Sequence, residues 1–315
     1  MLVGGPERKI IIFFLLAAAA SARADSDAPQ PWSLDLTVHD VGIGIGNSKH
    51  IDGIRLNFRD VAPYTVHGLN VTIWSPAEGG VGKVYGLELG LPIAGAGILR
   101  GVGVGIGLEI EKDLAGIGIG VLGIGSGGGL HGILIGGLGM GAGGNIDGLA
   151  IGGLGAGCGG SLYGIVVGGL GAGAGGDIDG IAVGLVGVGA GGVIRGIAVG
   201  GIGVGSGGGI EGLAVAGLGV GSPRVRGVIA ALAAGGEDVA GLVLAPAYFT
   251  VGERGRLTGV SVSAVNRIVG EQHGLAIGIV NYTPSLHGVQ IGLINIAGNN
   301  PSGLKVLPVL NAHLD

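Results

Sequence analysis

The central part of the chain places large aliphatic residues, glycines and polar residues on a fixed grid. A tetrad of apolar-x-Gly-apolar, usually followed by x-apolar-Gly, recurs at Gly53, Gly68, Gly86, Gly101, Gly116, Gly132, Gly148, Gly164, Gly180, Gly196, Gly212, Gly227, Gly241, Gly259, Gly274, Gly288 and Gly303. From Gly116 to Gly212 the spacing is 16 every time, and outside that block it runs from 14 to 18, which makes 17 units. Gln272 and Pro301 depart from the apolar lead position in two of the last three. With the marker glycine as zero, offset 1 reads Ile117, Ile133, Leu149, Ile165, Ile181, Ile197 and offset 3 reads Ile119, Ile135, Ile151, Val167, Val183, Val199. Offset 6 (Leu122, Leu138, Leu154, Leu170, Val186, Ile202) and offset 14 (Leu130, Ile146, Leu162, Ile178, Ile194, Ile210) are equally apolar, while offsets 0, 4, 7, 9, 11 and 12 are Gly in all six units.

Apolar residues at 1 and 3 and again at 6 and 8 are two runs of strand alternation whose parity flips, so a corner is expected between offsets 3 and 6. Two short strands per unit, with the same pattern in every unit, predict an all-β fold, a β-solenoid of about 17 short coils. Stacked strands lie about 4.8 Å apart, so such a stack would be roughly 80 Å long. On this reading the glycines form corners that need φ > 0 and leave thin outward faces. Ile181 is then expected to point inward and Ala182 outward, together with Ala150, Val166, Ala198 and Ala214.

Two other architectures fit parts of the pattern. A transmembrane β-barrel could show the aliphatic column to lipid, but its strands alternate in direction, so successive units should not be alike, and it carries aromatic girdles. Glycine-zipper helices are suggested by uncharged runs such as 114–146, but a helix loses about 1 kcal/mol per Gly relative to Ala.

Composition sharpens this picture. Of 315 residues 79 are Gly, with 47% hydrophobic, 12% charged and 3% aromatic. Collagen would need Gly at every third position and far more than the 11 Pro present. Disordered chains are polar, whereas this one has much Ile, Val and Leu to bury. Residues 1–24 read as a secretory signal peptide: Arg8 and Lys9 precede an apolar core from Ile10 to Ala20 and a small-x-small site at Ala22-Arg23-Ala24. That core is shorter than the about 20 residues a spanning helix requires. Its removal takes away Arg8, Lys9, Arg23 and Glu7, turning the net charge of −5 into 13 − 20 = −7. An acidic chain gives no support for nucleic-acid binding. The expected layout is a signal peptide at 1–24, an N-terminal strand or cap at 25–50, the repeat solenoid at 51–303 and a C-terminal cap at 304–315.

Two units carry a more specific signature. Gly274 to Asn281 (GLAIGIVN) and Gly288 to Asn295 (GVQIGLIN), followed by Leu307-Pro-Val-Leu-Asn-Ala312, resemble the GLQIGLVN-type repeat of bacterial surface-repeat proteins from spirochaetes and other Gram-negative groups. The central units drift toward GIAVGGIG. The resemblance implies an exported, surface-exposed protein and carries no catalytic residues. The expected function is therefore an exported structural or surface-interaction repeat protein, at the cell surface, outer membrane or periplasm. Its partner is an unidentified surface or protein, outer-membrane association or self-association through flat Gly/Ala faces. An outer-membrane β-barrel or pore is the alternative.

No enzyme is expected, because no nucleophile, base and orienting group converge. The richest polar column precedes the marker glycine, and within it Asp179, Arg195, Glu211 and Arg226 form an expected surface charge ladder of alternating sign. Exposed ion pairs contribute about 0–1 kcal/mol, so the ladder is expected to hold register and solubility. His273 and His287 are neighbours in the same column, but a metal site needs more ligands and none is expected. Gly155-x-Gly157-x-x-Gly160 satisfies a dinucleotide fingerprint yet opens no helix, and no cofactor is expected. Calcium-binding nonapeptide repeats would need regular Asp at the turns, and an ice-binding face would need a ladder of Thr in place of the alanine column. Cys158, the sole cysteine, stands where other units have Ser or Ala and reads as a small interior filler. No Cys follows the signal to anchor a lipid.

Overall fold

The structure is a computed structural model that describes residues 32–76 and 81–314. The signal-peptide reading of 1–24 lies outside these residues. Every regular element described is a β-strand. The strands stack in parallel as a β-solenoid of about 15 turns among the described residues. This overturns the barrel, because successive coils pair in the same direction, as in Leu162↔Ile178 and Ile178↔Ile194. It also overturns the glycine-zipper helices.

Two compact units divide the chain at Leu114 and Ala115. The first begins with a hairpin, Ser33–Val38 antiparallel to Val41–Gly46. It continues in parallel through His50–Asn57, Thr65–Thr72 and the start of the run Lys83–Ser126. The marker column starts one coil earlier than the repeat pattern indicates, since Gly42 pairs with Gly53. In the second unit each central coil has a strand of seven or eight residues, such as Leu162–Gly168, and one of four, such as Gly171–Ala174. Both advance by 16 residues per turn. The bends fall at residues such as Gly137 and Leu138, between offsets 3 and 8. A longer coil, Tyr248–Val262, is absorbed by a register shift between Gly236 and Asp238. The last coil, Ser285–Ala297, is covered by an antiparallel strand, Val306–His313, so Gly303 sits in the connecting turn and not in the column.

At the marker position φ lies between +107° and +153° from Gly42 to Gly288. A Cβ on Gly164 would run into the carbonyl oxygen of Gly148 in the coil before it, and the contact recurs along the column. Glycine is therefore required in the middle of the longer strand, where the chain bends without breaking its ladder. The corner glycines at 137 and 153 have no such φ. Their place is set by space, because a Cβ on Gly153 would meet the Gly137 carbonyl.

The expected inside and outside are reversed. Ala182 is 0% exposed, and Ala150, Val166, Ala198 and Ala214 are equally buried. The offset 1 and 3 columns face solvent, with Ile133 and Ile165 each 44% exposed, and the offset 6 leucines stand half exposed at the corner. The reason is the thinness of the coil. Its interior is filled by Leu130, Ile146, Leu162, Ile178 and Ile194 from one side of the marker glycine and by Ala156, Ala172 and Val188 from the short strand. At offset 4 a Cβ on Gly152 would already strike the Gly155 carbonyl across the corner. Beside the large lead residue most central coils admit only Ala or Val at offset 2, with Leu134 an exception, so the offset 1 and 3 columns go outside and the face expected to be bare Gly and Ala is aliphatic instead.

Candidate functional site

Three constellations emerge from this geometry, one on the surface and two in the interior. The surface one joins the aliphatic columns to the polar column beside them. Strand pleating puts offsets −1, 1 and 3 on the outer side, so the ladder borders the apolar face. Arg195 lies 3.0 Å from Asp179 and 3.7 Å from Glu211, as the alternation implies, and it also reaches Asp177 at 2.9 Å. Asp177 accepts a 2.7 Å bond from the Val193 amide, and that bond, with Arg195 after it, holds its carboxyl below the usual range. Hydrogen bonds from Arg195 to Asp177 and then Asp179 hold its guanidinium more firmly protonated than usual. Arg226 is in register with Glu211, yet no ion pair within 4.0 Å joins it to another described residue. The predicted ladder thus has three members in contact and one standing apart.

Elsewhere in the column His67 meets Asp52 at 2.7 Å and His131 meets Asp147 at 2.5 Å. His273 and His287 stack at 4.6 Å between ring centroids, and His313 lies edge-on to His287. Glu271 bonds both His273 and Arg256, which hold its carboxyl below the usual range, the histidine more strongly. Among the described residues no group of three His, Cys, Asp or Glu side chains is placed to hold a metal ion. Cys158 is half-buried, its thiol 3.5 Å from the Gly160 carbonyl and its pKa pushed up by burial.

The interior constellations went unread in the sequence. In the first unit Arg55, Asn70 and Glu88 occupy the same inward position in three successive coils, and all are fully buried. Arg55 pairs with Asp60 at 2.6 Å, donates to Asn70 at 3.0 Å and lies 4.1 Å above the Tyr64 ring. Asn70 donates to Glu88 at 2.7 Å, and Asn57 and Thr72 close around Asp60. Burial pushes the Glu88 carboxyl well above its ordinary value, with the nearby Asp60 charge acting in the same direction and the Asn70 bond opposing. The sequence carries its signal at offset 2, where Arg55, Asn70 and Glu88 follow Gly53, Gly68 and Gly86.

In the second unit Asn266, Asn281 and Asn295 stack inside the coils, each amide donating to the next carbonyl at 2.7 Å. Gln290 donates to Gln272 at 3.0 Å. Asn311 of the covering strand donates to the Asn295 carbonyl at 3.2 Å. The signal for this ladder was present in the terminal Asn of GIVN and GLIN. Comparison with known proteins adds nothing, since no family model, curated protein or solved structure matches the chain.

Proposed function

We propose that this is an exported structural protein that works by surface contact and performs no catalysis. The observation that carries this reading is the aliphatic face. Soluble monomers rarely expose contiguous apolar patches beyond a few hundred Å², and larger ones mark interaction sites. Here Ile133, Ile135, Ile151, Ile165 and Ile197, all between 37% and 44% exposed, belong to two adjacent columns with no charge between them. The basic and apolar segments of residues 1–24, and the likeness of 274–281 and 288–295 to surface-repeat proteins, support export.

Replacing Ile133, Ile165 and Ile197 together by Asn tests the reading. The expected outcome is an unchanged β spectrum and a melting temperature within a few degrees, because surface substitutions stay within about 0.5 kcal/mol each, with loss of retention on a hydrophobic resin. Unfolding of the triple variant would place these residues in the core and end the proposal. Fractionation of the producing cell tests the address: a mature chain beginning at Asp25 outside the cytoplasm is expected, and a cytoplasmic chain that retains residues 1–24 contradicts it.

A further inference from the structure

Resting on that reading, we infer that the partner of the aliphatic face in the second unit is a second copy of this chain, laid face to face and antiparallel about a two-fold axis. Size is the first argument. Coils about 4.8 Å apart, marked by Gly116 through Gly288, make a face about 55 Å long, and two columns with their side chains span about 12 Å, so the face covers roughly 650 Å². Two such faces bring together roughly 1,300 Å², within the about 1,200–2,000 Å² of total surface that specific, stable interfaces bury. Two aliphatic sheet faces pack about 10 Å apart, with side chains interdigitating.

Charge complementarity picks the orientation. A two-fold axis in the plane of the face and across the coils brings the polar column of one copy against the same column of the other, running in reverse. Six marker glycines, Gly116 to Gly196, lie before the gap between Gly196 and Gly212, and six, Gly212 to Gly288, lie after it. An axis through that midpoint sets Arg195 against Glu211 of the other copy and Asp179 against Arg226. Both of these pairs are opposite in sign, and Arg226, which has no ion pair among the described residues of its own chain, gains one. The same register shifted by one coil would set Asp179 against Glu211.

A lipid surface suits the face less well. Interfacial proteins border their apolar side with Lys, Arg and Trp, and residues 115–304 contain neither Lys nor Trp. The bordering column instead mixes both signs.

Sedimentation of the mature chain without detergent, with and without neutral phosphatidylcholine vesicles, tests the inference, using Arg195→Glu and Glu211→Arg as separate variants and as a mixture. The expected result is a dimer for the native chain, at least tenfold weaker self-association for each variant alone, and recovery in the mixture, where the carboxylate introduced in one chain faces the guanidinium introduced in the other. Circular dichroism of each variant confirms that it is folded. A monomer at tens of micromolar that floats with the vesicles overturns the second copy while leaving the contact-surface reading intact. A monomer that ignores the vesicles overturns both. A dimer indifferent to both variants, or not recovered in the mixture, overturns the two-fold register.

Discussion

Gly164 and Gly141 look alike in the sequence and differ in what they do. The first has a φ of +107° and no room for a Cβ beneath the Gly148 carbonyl, whereas a Cβ on the second meets nothing within 4 Å. Gly164→Ala is expected to cost about 1–3 kcal/mol, the price of a strained backbone position. Gly141→Ala should be neutral or stabilising by about 0.4–1 kcal/mol, because it only restricts the unfolded chain. Thermal unfolding of the two variants checks this, and equal losses would contradict it. Glu88 is the other telling residue. A carboxyl whose native pKa stands above its ordinary 4.5 holds its proton more tightly folded than unfolded. The stability from that proton is therefore complete below about pH 4.5 and is lost as pH rises through the native value. Amide exchange of residues 84–89 should quicken on going from pH 5 to pH 8 beyond the intrinsic effect of pH, and Glu88→Gln should remove that excess. An unchanged excess in the variant would assign it to other groups.

At the scale of the element, the strand pattern was legible and its facing was not. Alternation at offsets 1 and 3, the corner after them and the 16-residue advance follow from Ile, Val, Leu and Gly positions alone. Facing does not follow from residue size, because burial of apolar residues is a one-way rule: much of a protein surface is apolar, and the largest columns need not be the core. What decided otherwise was coil thickness, visible only once the Gly152 position is seen to abut the Gly155 backbone. The asparagine ladder was likewise legible as letters but not as chemistry, since an Asn at a repeated position reads equally as a turn residue. Its contribution can be measured. Asn281→Ala removes one acceptor of Asn266, which keeps the Ile277 carbonyl, and the donor to the Asn295 side chain inside the stack, and a buried polar group left unpaired costs about 1–3 kcal/mol. A urea midpoint that moves by less than the equivalent of about 0.5 kcal/mol would show that the ladder is not a stabilising element.

Across the whole molecule the usual distribution of polarity is inverted in places. Arg55, Asp60 and Glu88 are inside, as are Asn266, Asn281 and Asn295, while isoleucine columns lie outside. This explains how a chain with one glycine in four forms ordered coils: the glycines thin the interior, and the side chains displaced from it build a surface. Thiol labelling tests that displacement directly. In a Cys158→Ala background, single cysteines replace Ile133, Ala150, Ile151 or Ala198, and their reaction with a maleimide is timed at a dilution where the chain sediments as a monomer. Rapid labelling is expected at 133 and 151, and labelling at 150 and 198 only as the chain unfolds. Rapid labelling at 150 and 198 with protection at 133 and 151 would contradict it.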